Sequence, residues 1–201
     1  SYPMALSAIS FFLMQSTDVL FISAYDTFDS VAYYSIAVKL ASVTALALIS
    51  VNIVIAPKIA SIYNDKNFYE LKLILKKATR INVVISLPII IVLLCFSEYI
   101  LSTFGINYVL AKSALWVLLI AQFFNSVTGP SALYLNMTGR QKKLNVILLI
   151  SLLINIVLNI ILVPAYGMLG AAISTTASFI ISKILASALV LYLDNVKTFI
   201  S

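Results

Sequence analysis

The sequence predicts an all-α integral membrane protein, built as a bundle of six transmembrane helices. Hydrophobic residues make up 62% of the chain and charged residues 10%, whereas about 25% of an ordinary soluble domain is charged. The mean hydropathy is +1.09. Runs such as LNVILLISLLINIVLNIILVP are apolar on all sides and long enough for helices of roughly 20 residues. Strands of a membrane barrel would instead alternate apolar and polar side chains.

Six apolar segments alternate with polar or basic connections. The longest connection, 57–80, has apolar residues at helical spacing among lysines, which predicts an amphipathic helix in the headgroup region. Pro57 and Pro164 fall at segment ends, whereas Pro88 and Pro130 fall inside segments and predict kinks. The predicted segments, which make a single domain of residues 1–201, are 4–24, 32–56, 81–104, 109–135, 144–163 and 168–193.

Basic residues predict the orientation in the membrane. Ten lie in the 57–80 connection, in the connection after the fourth segment or in the final residues, and Lys112 is nearly alone on the other side. Because basic connections stay in the cytoplasm, both termini of this segment are predicted to be cytoplasmic. The net charge of +6 therefore reflects orientation, and we expect no binding to nucleic acid.

Residues that carry most enzyme chemistry are missing from the sequence. It contains no histidine and one cysteine, Cys95, which excludes a disulfide or a histidine/cysteine metal site. No segment holds a pair of carboxylates, and no glycine-rich phosphate loop is present. We expect no enzyme, no bound metal and no resident cofactor. Polar groups at membrane depth are the candidates for function, since lipid penalises them unless they pair or line a cavity.

Two charges in the first hairpin are the leading candidates. Asp18 lies in the first segment and Lys39 in the second. A rise of 1.5 Å per residue places them roughly 10 and 12 Å from the outer helix ends, at matching depth on antiparallel helices. One interpretation is a structural ion pair that holds the hairpin together. The other is that Lys39 faces a cavity and contacts an anionic substrate, and a pair could serve both roles.

Other polar side chains at membrane depth have two interpretations each. Lys183 either faces a cavity or extends its long stem to the cytoplasmic interface. Gln122, Asn125, Asn155 and Asn159 either line a sugar-binding cavity or hydrogen-bond between helices. Tyrosines at the predicted outer end fit the aromatic belt of a membrane protein, and these are Tyr33, Tyr34 and Tyr108.

Several stretches, taken in order, carry a family resemblance. They are the stretch from Pro3 through Asp18, then YYSIAVKL, APKIASIY, FGINYVLAKSALWVLLIAQFFNSVTGPSALYLNMTGRQKK and NIVLNIILVPAYGMLGAAISTTAS. Their order and spacing resemble the carboxy-terminal lobe of polysaccharide flippases of the MOP superfamily, the Wzx-type exporters of O-antigen and capsule units, whose fold is MATE-like. The resemblance covers nearly all of the chain.

The resemblance implies a flippase of the bacterial inner membrane. Family members move undecaprenyl-diphosphate-linked oligosaccharides in lipopolysaccharide, O-antigen or capsule biosynthesis, by alternating access between two six-helix lobes. Lys39 matches the place where related lipid II flippases carry a basic cavity residue, and Asp18 matches a polar or acidic position. Coupling to H⁺, Na⁺ or the membrane potential would supply the energy.

The resemblance also implies partners. Because the chain starts at Ser1 rather than at a methionine and supplies one lobe, we expect a fragment whose amino-terminal lobe is missing. A polysaccharide polymerase and assembly proteins are further expected partners, beside the lipid-linked oligosaccharide and the membrane.

Two other functions stay open. A multidrug extruder of the same superfamily, driven by Na⁺ or H⁺, needs a coupling carboxylate, and Asp18 is the only acidic residue deep in a segment. A non-transporting membrane scaffold of a glycan-assembly complex would instead tolerate charge-neutral changes at Asp18 and Lys39 together.

Overall fold

A computed structural model describes residues 13, 16–196 and 198, apart from the side chain of residue 47. These residues form helices joined by short turns, and none of them lies in a strand. The helices are α1 (described over 16–25), α2 (Phe28–Val43), α3 (Ala45–Asn64), α4 (Phe68–Cys95), α5 (Ser97–Ser102), α6 (Lys112–Thr128), α7 (Ser131–Met137), α8 (Gln141–Tyr166) and α9 (Met168–Asp194), with a 3-10 helix Ile106–Ala111 before α6.

Several of these helices are long enough to span a membrane. Within the described residues, four helical stretches are sufficiently long and apolar, and α2 with α3 brings the number to as many as five. Most of the first predicted segment, 4–24, lies outside the described residues, and its part from residue 16 onward is helical. The predicted count of six therefore stays a prediction.

The last two predicted segments, 144–163 and 168–193, correspond closely to α8 and α9. Both are continuous apolar runs, and Gly167 separates them with a positive φ of 53°, a conformation that glycine adopts without steric cost. Pro164, predicted at a segment end, lies in the last turn of α8. The two helices pack against each other along their length.

The second predicted segment, 32–56, is broken at Thr44. The axes of Phe28–Val43 and Leu48–Asn64 differ by 47°. The buried Thr44 hydroxyl donates to the Ala41 carbonyl at 2.6 Å, and such a bond to the preceding turn competes with the helical ladder and bends helices. The helix then continues past the predicted end, so that Pro57 lies inside α3.

The structure corrects the predicted connection over 57–80. Its first part belongs to α3 and its last part to α4, which starts at Phe68 because the Asn67 side chain accepts from the Glu70 N–H. The apolar side chains assigned to the headgroup region pack between the helices instead. Ile59, Leu71 and Leu75 are fully buried. The stretch is the tip of a helical hairpin, and its lysines stay exposed.

The fourth predicted segment, 109–135, breaks where the Gly129–Pro130 pair predicted a kink. Gly129 has a φ of 66°, and α7 begins two residues later. Two described residues after α9 pack near this break. Val196 and Thr198 are fully buried, and the Thr79 hydroxyl of α4 donates to the Thr198 carbonyl at 2.7 Å. A side chain at residue 129 would occupy this space.

An ion pair joins the end of α9 to the start of α8. The Arg140 guanidinium donates to both carboxylate oxygens of Asp194, a planar fork geometry that strengthens the contact. It also donates to the Tyr63 hydroxyl at 3.0 Å, and the Tyr134 hydroxyl donates to Asp194 at 2.7 Å. This cluster connects α3, α7, α8 and α9 at the end predicted to be cytoplasmic.

Gly129→Ala is expected to destabilise the fold more than Gly139→Ala. Both glycines have positive φ, 66° and 76°, so each substitution bears the cost of about 1–3 kcal/mol that a side chain meets at positive φ. At residue 129 the new Cβ would also collide with the Thr79 hydroxyl and the Thr198 carbonyl, whereas nothing lies within 4 Å at residue 139. Thermal unfolding of the detergent-solubilised protein measures the difference. Equal melting temperatures would contradict the close approach.

Candidate functional site

A cavity of about 290 Å³ lies between α1, α2, α6 and α9. It collects side chains that are far apart in the sequence, because the helices that carry them meet at the same depth of the bundle. The polar and aromatic residues that line it and are discussed below are Asp18, Tyr34, Lys39, Gln122, Thr175 and Phe179.

The carboxylate of Asp18 is buried and surrounded by neutral donors. Tyr34 of α2 donates its hydroxyl at 2.6 Å, and Thr175 of α9 donates at 2.5 Å. From α8, the amide nitrogens of Asn159 and Asn155 donate at 2.9 and 3.4 Å. Both carboxylate oxygens accept hydrogen bonds, and none of the donors carries a formal charge. The cluster thus satisfies the carboxylate without neutralising it.

The structure does not form the ion pair between Asp18 and Lys39, which was one of the two interpretations of this hairpin from the sequence. In the described part of the chain, no carboxylate lies within 4 Å of the Lys39 ammonium. Tyr34 takes the place of Lys39 at Asp18, because Lys39 lies five residues further along α2, which is roughly 7.5 Å along the helix axis. Lys39 is exposed and lines the same cavity, so both charges face it without pairing.

Asn155 and Asn159 lie one turn apart on α8, and both are fully buried. Their amide nitrogens bind Asp18, and Asn155 also donates to the Thr175 hydroxyl at 3.1 Å. The sequence left open whether these asparagines line a sugar-binding cavity or hydrogen-bond between helices. The contacts found here are hydrogen bonds from α8 to α1 and α9. Their carbonyl oxygens have no hydrogen-bond partner among the described residues.

Three other predicted residues lie on or near the cavity wall. Gln122 lines the cavity. Asn125, one turn further along α6, is buried, and its amide nitrogen donates to the side-chain amide oxygen of Gln122 at 3.4 Å. The Lys183 ammonium lies 5.3 Å from the centroid of the Phe179 ring, within the range of a cation–π contact. Phe179 lines the cavity. Lys183 is therefore in contact with a residue of the cavity wall but does not line the cavity itself.

The sequence interpretation missed two residues that bind Asp18. Tyr34 was assigned to the aromatic belt, but it is 1% exposed and reaches Asp18. Its neighbour Tyr33 instead contacts the Tyr108 ring, with centroids 4.8 Å apart. Adjacent residues on a helix point about 100° apart, so two consecutive tyrosines could have warned that one of them faces inward.

Thr175 lies in a run of small residues, a pattern that indicates close packing between helices. Counting back from Lys183 in steps of four gives Phe179 and then Thr175, so the three share one face of α9. This spacing is the signal that could have found the hydroxyl.

Comparison with known proteins identifies the family. The model of the MatE family matches residues 3–161. The chain belongs to the MatE family. The all-α membrane fold expected from the sequence is confirmed, and so is the resemblance to this superfamily.

Two curated relatives of the MatE chain have names that concern glycans. A Shigella flexneri protein named "Putative O-antigen transporter" is 30% identical over 159 residues, which are 78% of this chain and 37% of that protein. A Haloferax volcanii protein named "Probable low-salt glycan biosynthesis flippase Agl15" is 26% identical over 184 residues, 90% of this chain and 38% of that protein. The chain thus spans less than two fifths of the length of these relatives.

A solved structure shares the fold of the MatE chain. It is an outward-facing multidrug resistance MATE family transporter of the MOP superfamily, and it aligns with a TM-score of 0.80 and 18% identity. The alignment covers 100% of this chain and 45% of that one. At this identity the match shows the fold alone. The family match and the several long apolar helices make the chain a multi-pass membrane protein.

Tyr34→Phe is expected to destabilise the protein by about 1.5–3 kcal/mol, the range for a lost hydrogen bond to a charged group. The substitution removes the hydroxyl that donates to Asp18 at 2.6 Å and changes little else. Tyr33→Phe is the matched control, since it removes a neighbouring hydroxyl that is outside the Asp18 cluster. Thermal unfolding in detergent compares the two variants. The same melting temperature for both would show that the bond does not stabilise the bundle.

Proposed function

We propose that this chain is the carboxy-terminal lobe of a flippase that moves an undecaprenyl-diphosphate-linked oligosaccharide across the bacterial inner membrane. The observation that carries this proposal is Lys39, a cation on a cavity wall at membrane depth with no carboxylate partner among the described residues. Charges in such places are costly unless they serve a ligand or a partner. The glycan names of the two curated relatives support this substrate class.

In this proposal the cavity binds the headgroup end of the substrate. The Lys39 ammonium is a compact charge with three donors, which suits oxygens spread over a diphosphate. The Gln122 amide offers a donor and an acceptor to a sugar hydroxyl, and the Phe179 ring offers an apolar face. The cavity volume of about 290 Å³ is close to the lower end of the range of about 300–1,000 Å³ for ligand pockets, which suits the headgroup end of the substrate rather than the whole molecule. The lipid tail stays in the bilayer.

Transport by this lobe requires a second bundle. Alternating access works by the rocking of two bundles around a shared site, so the proposed partner is an amino-terminal lobe that closes the other side of the cavity. The greater lengths of the relatives and of the aligned transporter support this. A polysaccharide polymerase and assembly proteins are further proposed partners, and both ends of the segment face the cytoplasm. The protein acts as a transporter rather than an enzyme.

The cluster around Asp18 is the proposed coupling site for Na⁺ or H⁺. The oxygen atoms of the cluster could act as ligands to a small monovalent cation. They are the Asp18 carboxylate, the Thr175 hydroxyl and the side-chain carbonyl oxygens of Asn155 and Asn159, which have no hydrogen-bond partner among the described residues. Rotating either amide by half a turn exchanges its nitrogen for its oxygen. Among the described residues, Asp18 is the one carboxylate of the cluster and the groups around it are neutral, so the cluster suits a single positive charge. A bound cation would neutralise Asp18.

The same buried carboxylate favours the second candidate, a Na⁺- or H⁺-coupled multidrug extruder. Both candidates use Asp18 for coupling, and they differ in what Lys39 contacts. A diphosphate needs this cation, whereas cationic or neutral drugs do not. The role of Lys39 therefore distinguishes the two functions.

Lys39→Ala is expected to reduce transport of the lipid-linked oligosaccharide by roughly tenfold or more, the equivalent of one lost charged hydrogen bond. Lys39→Arg should retain more activity, because the charge remains. The measurement is the amount of lipid-linked oligosaccharide left in the inner leaflet of cells that express each variant at the same level. Lys112→Ala is the control, since this lysine pairs with Glu98 at 2.5 Å away from the cavity. Normal transport by Lys39→Ala would remove Lys39 from the mechanism.

Asp18→Asn is expected to abolish the dependence of transport on a Na⁺ or pH gradient. The neutral amide neither takes up a proton nor balances the charge of a bound Na⁺. Membrane vesicles with an imposed gradient of one ion at a time measure this, for both glycan lipid and drug substrates. Asp29→Asn is the matched control, since Asp29 is exposed at the start of α2. Unchanged gradient dependence would refute the coupling site. Normal function of Asp18→Asn combined with Lys39→Ala would favour a scaffold.

A further inference from the structure

A second candidate site lies on the hairpin of α3 and α4, away from the cavity. A hollow of about 470 Å³ lies between α3 and α4, and an adjoining one of about 900 Å³ has its described lining on α4; the two share Lys77 and Ile81. We call them together the hairpin groove. The other residues used below that line it are Val54, Lys58, Lys76, Arg80 and Val84. None of the residues that line the groove also lines the cavity at Asp18 and Lys39.

The groove concentrates positive charge. Its four basic side chains are exposed, and the two ion pairs found among the described residues involve other groups, namely Lys112 with Glu98 and Arg140 with Asp194. Four cations without an acidic partner in the described chain complement a phosphate. The basic residues are Lys58, Lys76, Lys77 and Arg80.

The groove changes from basic to apolar along a short length of α4. Ile81 directly follows Arg80 and lies one turn after Lys77. Val84, about one turn further, is 65% exposed. From Lys77 to Val84 the helix rises roughly 10 Å. On α3, Val54 lies one turn before Lys58 and continues the apolar wall. A free phosphate would satisfy only the lysines, whereas a phospholipid joins a phosphate to an acyl chain.

The position of the groove selects the lipid class. Basic residues predict that this hairpin faces the cytoplasm, and the cytoplasmic leaflet carries the anionic phospholipids that bind to basic pockets between membrane helices. We propose that the hairpin groove binds one anionic diacyl phospholipid, with its phosphate at Lys58 and Lys77 and an acyl chain against Ile81 and Val84. This site is separate from the transport cavity; it rests on the predicted cytoplasmic orientation of the hairpin and not on the proposed substrate.

The experiment measures lipid retained by the purified protein. The protein is reconstituted in phosphatidylcholine nanodiscs containing a minor fraction of phosphatidylglycerol, released into mild detergent, and examined by native mass spectrometry. One phosphatidylglycerol should stay bound in preference to phosphatidylcholine. Lys58→Gln with Lys77→Gln should lower retention by about fivefold for each lysine, the contribution of a basic residue at an anionic surface. Lys58→Arg with Lys77→Arg should retain the lipid.

Control variants make the result specific to the groove. Lys142→Gln with Lys143→Gln removes the same charge at the exposed first turn of α8 and should leave retention unchanged. Val84→Trp fills the apolar part without changing charge and should release the lipid. An equal loss in the Lys142 and Lys143 variant would show general attraction of anionic lipid and overturn the site. Full retention after Val84→Trp, or displacement by inorganic phosphate, would overturn the acyl-chain contact.

A final arm separates a resident lipid from a transported one. Undecaprenyl phosphate is added at the same concentration as phosphatidylglycerol. Continued retention of phosphatidylglycerol supports the proposal, and its replacement by undecaprenyl phosphate overturns it in favour of a substrate contact. Circular dichroism and melting temperature confirm that each variant is folded, and all the substituted side chains are exposed.

Discussion

The rest of the bundle depends on how the carboxylate of Asp18 is satisfied. A carboxylate at membrane depth costs several kcal/mol unless protein groups replace water around it. Its donors come from α2, α8 and α9, so these helices must approach α1 at one depth and in one rotation. The small residues of α9 allow that approach, since they let helix backbones come close. Packing and hydrogen bonding therefore require the same arrangement.

Neutral donors around Asp18 leave the charge of Lys39 available. Had Lys39 paired with Asp18, its ammonium would be occupied by that carboxylate rather than available to a ligand. Tyr34 lies closer to Asp18 along α2 than Lys39 does. Its hydroxyl donates to an Asp18 carboxylate oxygen and occupies the position that the Lys39 ammonium would take in an ion pair. The cavity consequently keeps a negative cluster and a positive side chain apart. Under the proposed function, this separation allows one cavity to serve both a coupling cation and an anionic headgroup.

The sequence predicted the helices well where one local property decides the outcome. The lengths of α8 and α9 follow from continuous apolar runs, and the break after α6 follows from Gly129 and Pro130. The break at Thr44 was not predictable, because threonine is common in membrane helices and its bond to Ala41 depends on burial. The prediction of an amphipathic headgroup helix over 57–80 was wrong for a related reason. Apolar side chains at helical spacing suit a lipid surface and a neighbouring helix equally well.

By itself, the sequence determined the membrane class and the polar groups that require an explanation. Asp18, Lys39, Gln122 and the asparagines of α8 stand out because polar side chains in lipid must be satisfied. The tertiary structure alone decided the partners. Which side chain meets Asp18 depends on the rotation of each helix about its axis, which packing against neighbouring helices sets and hydropathy does not record. That rotation turns Tyr34 rather than Tyr33 toward the carboxylate, and so leaves Lys39 facing the cavity without a carboxylate partner in the described chain.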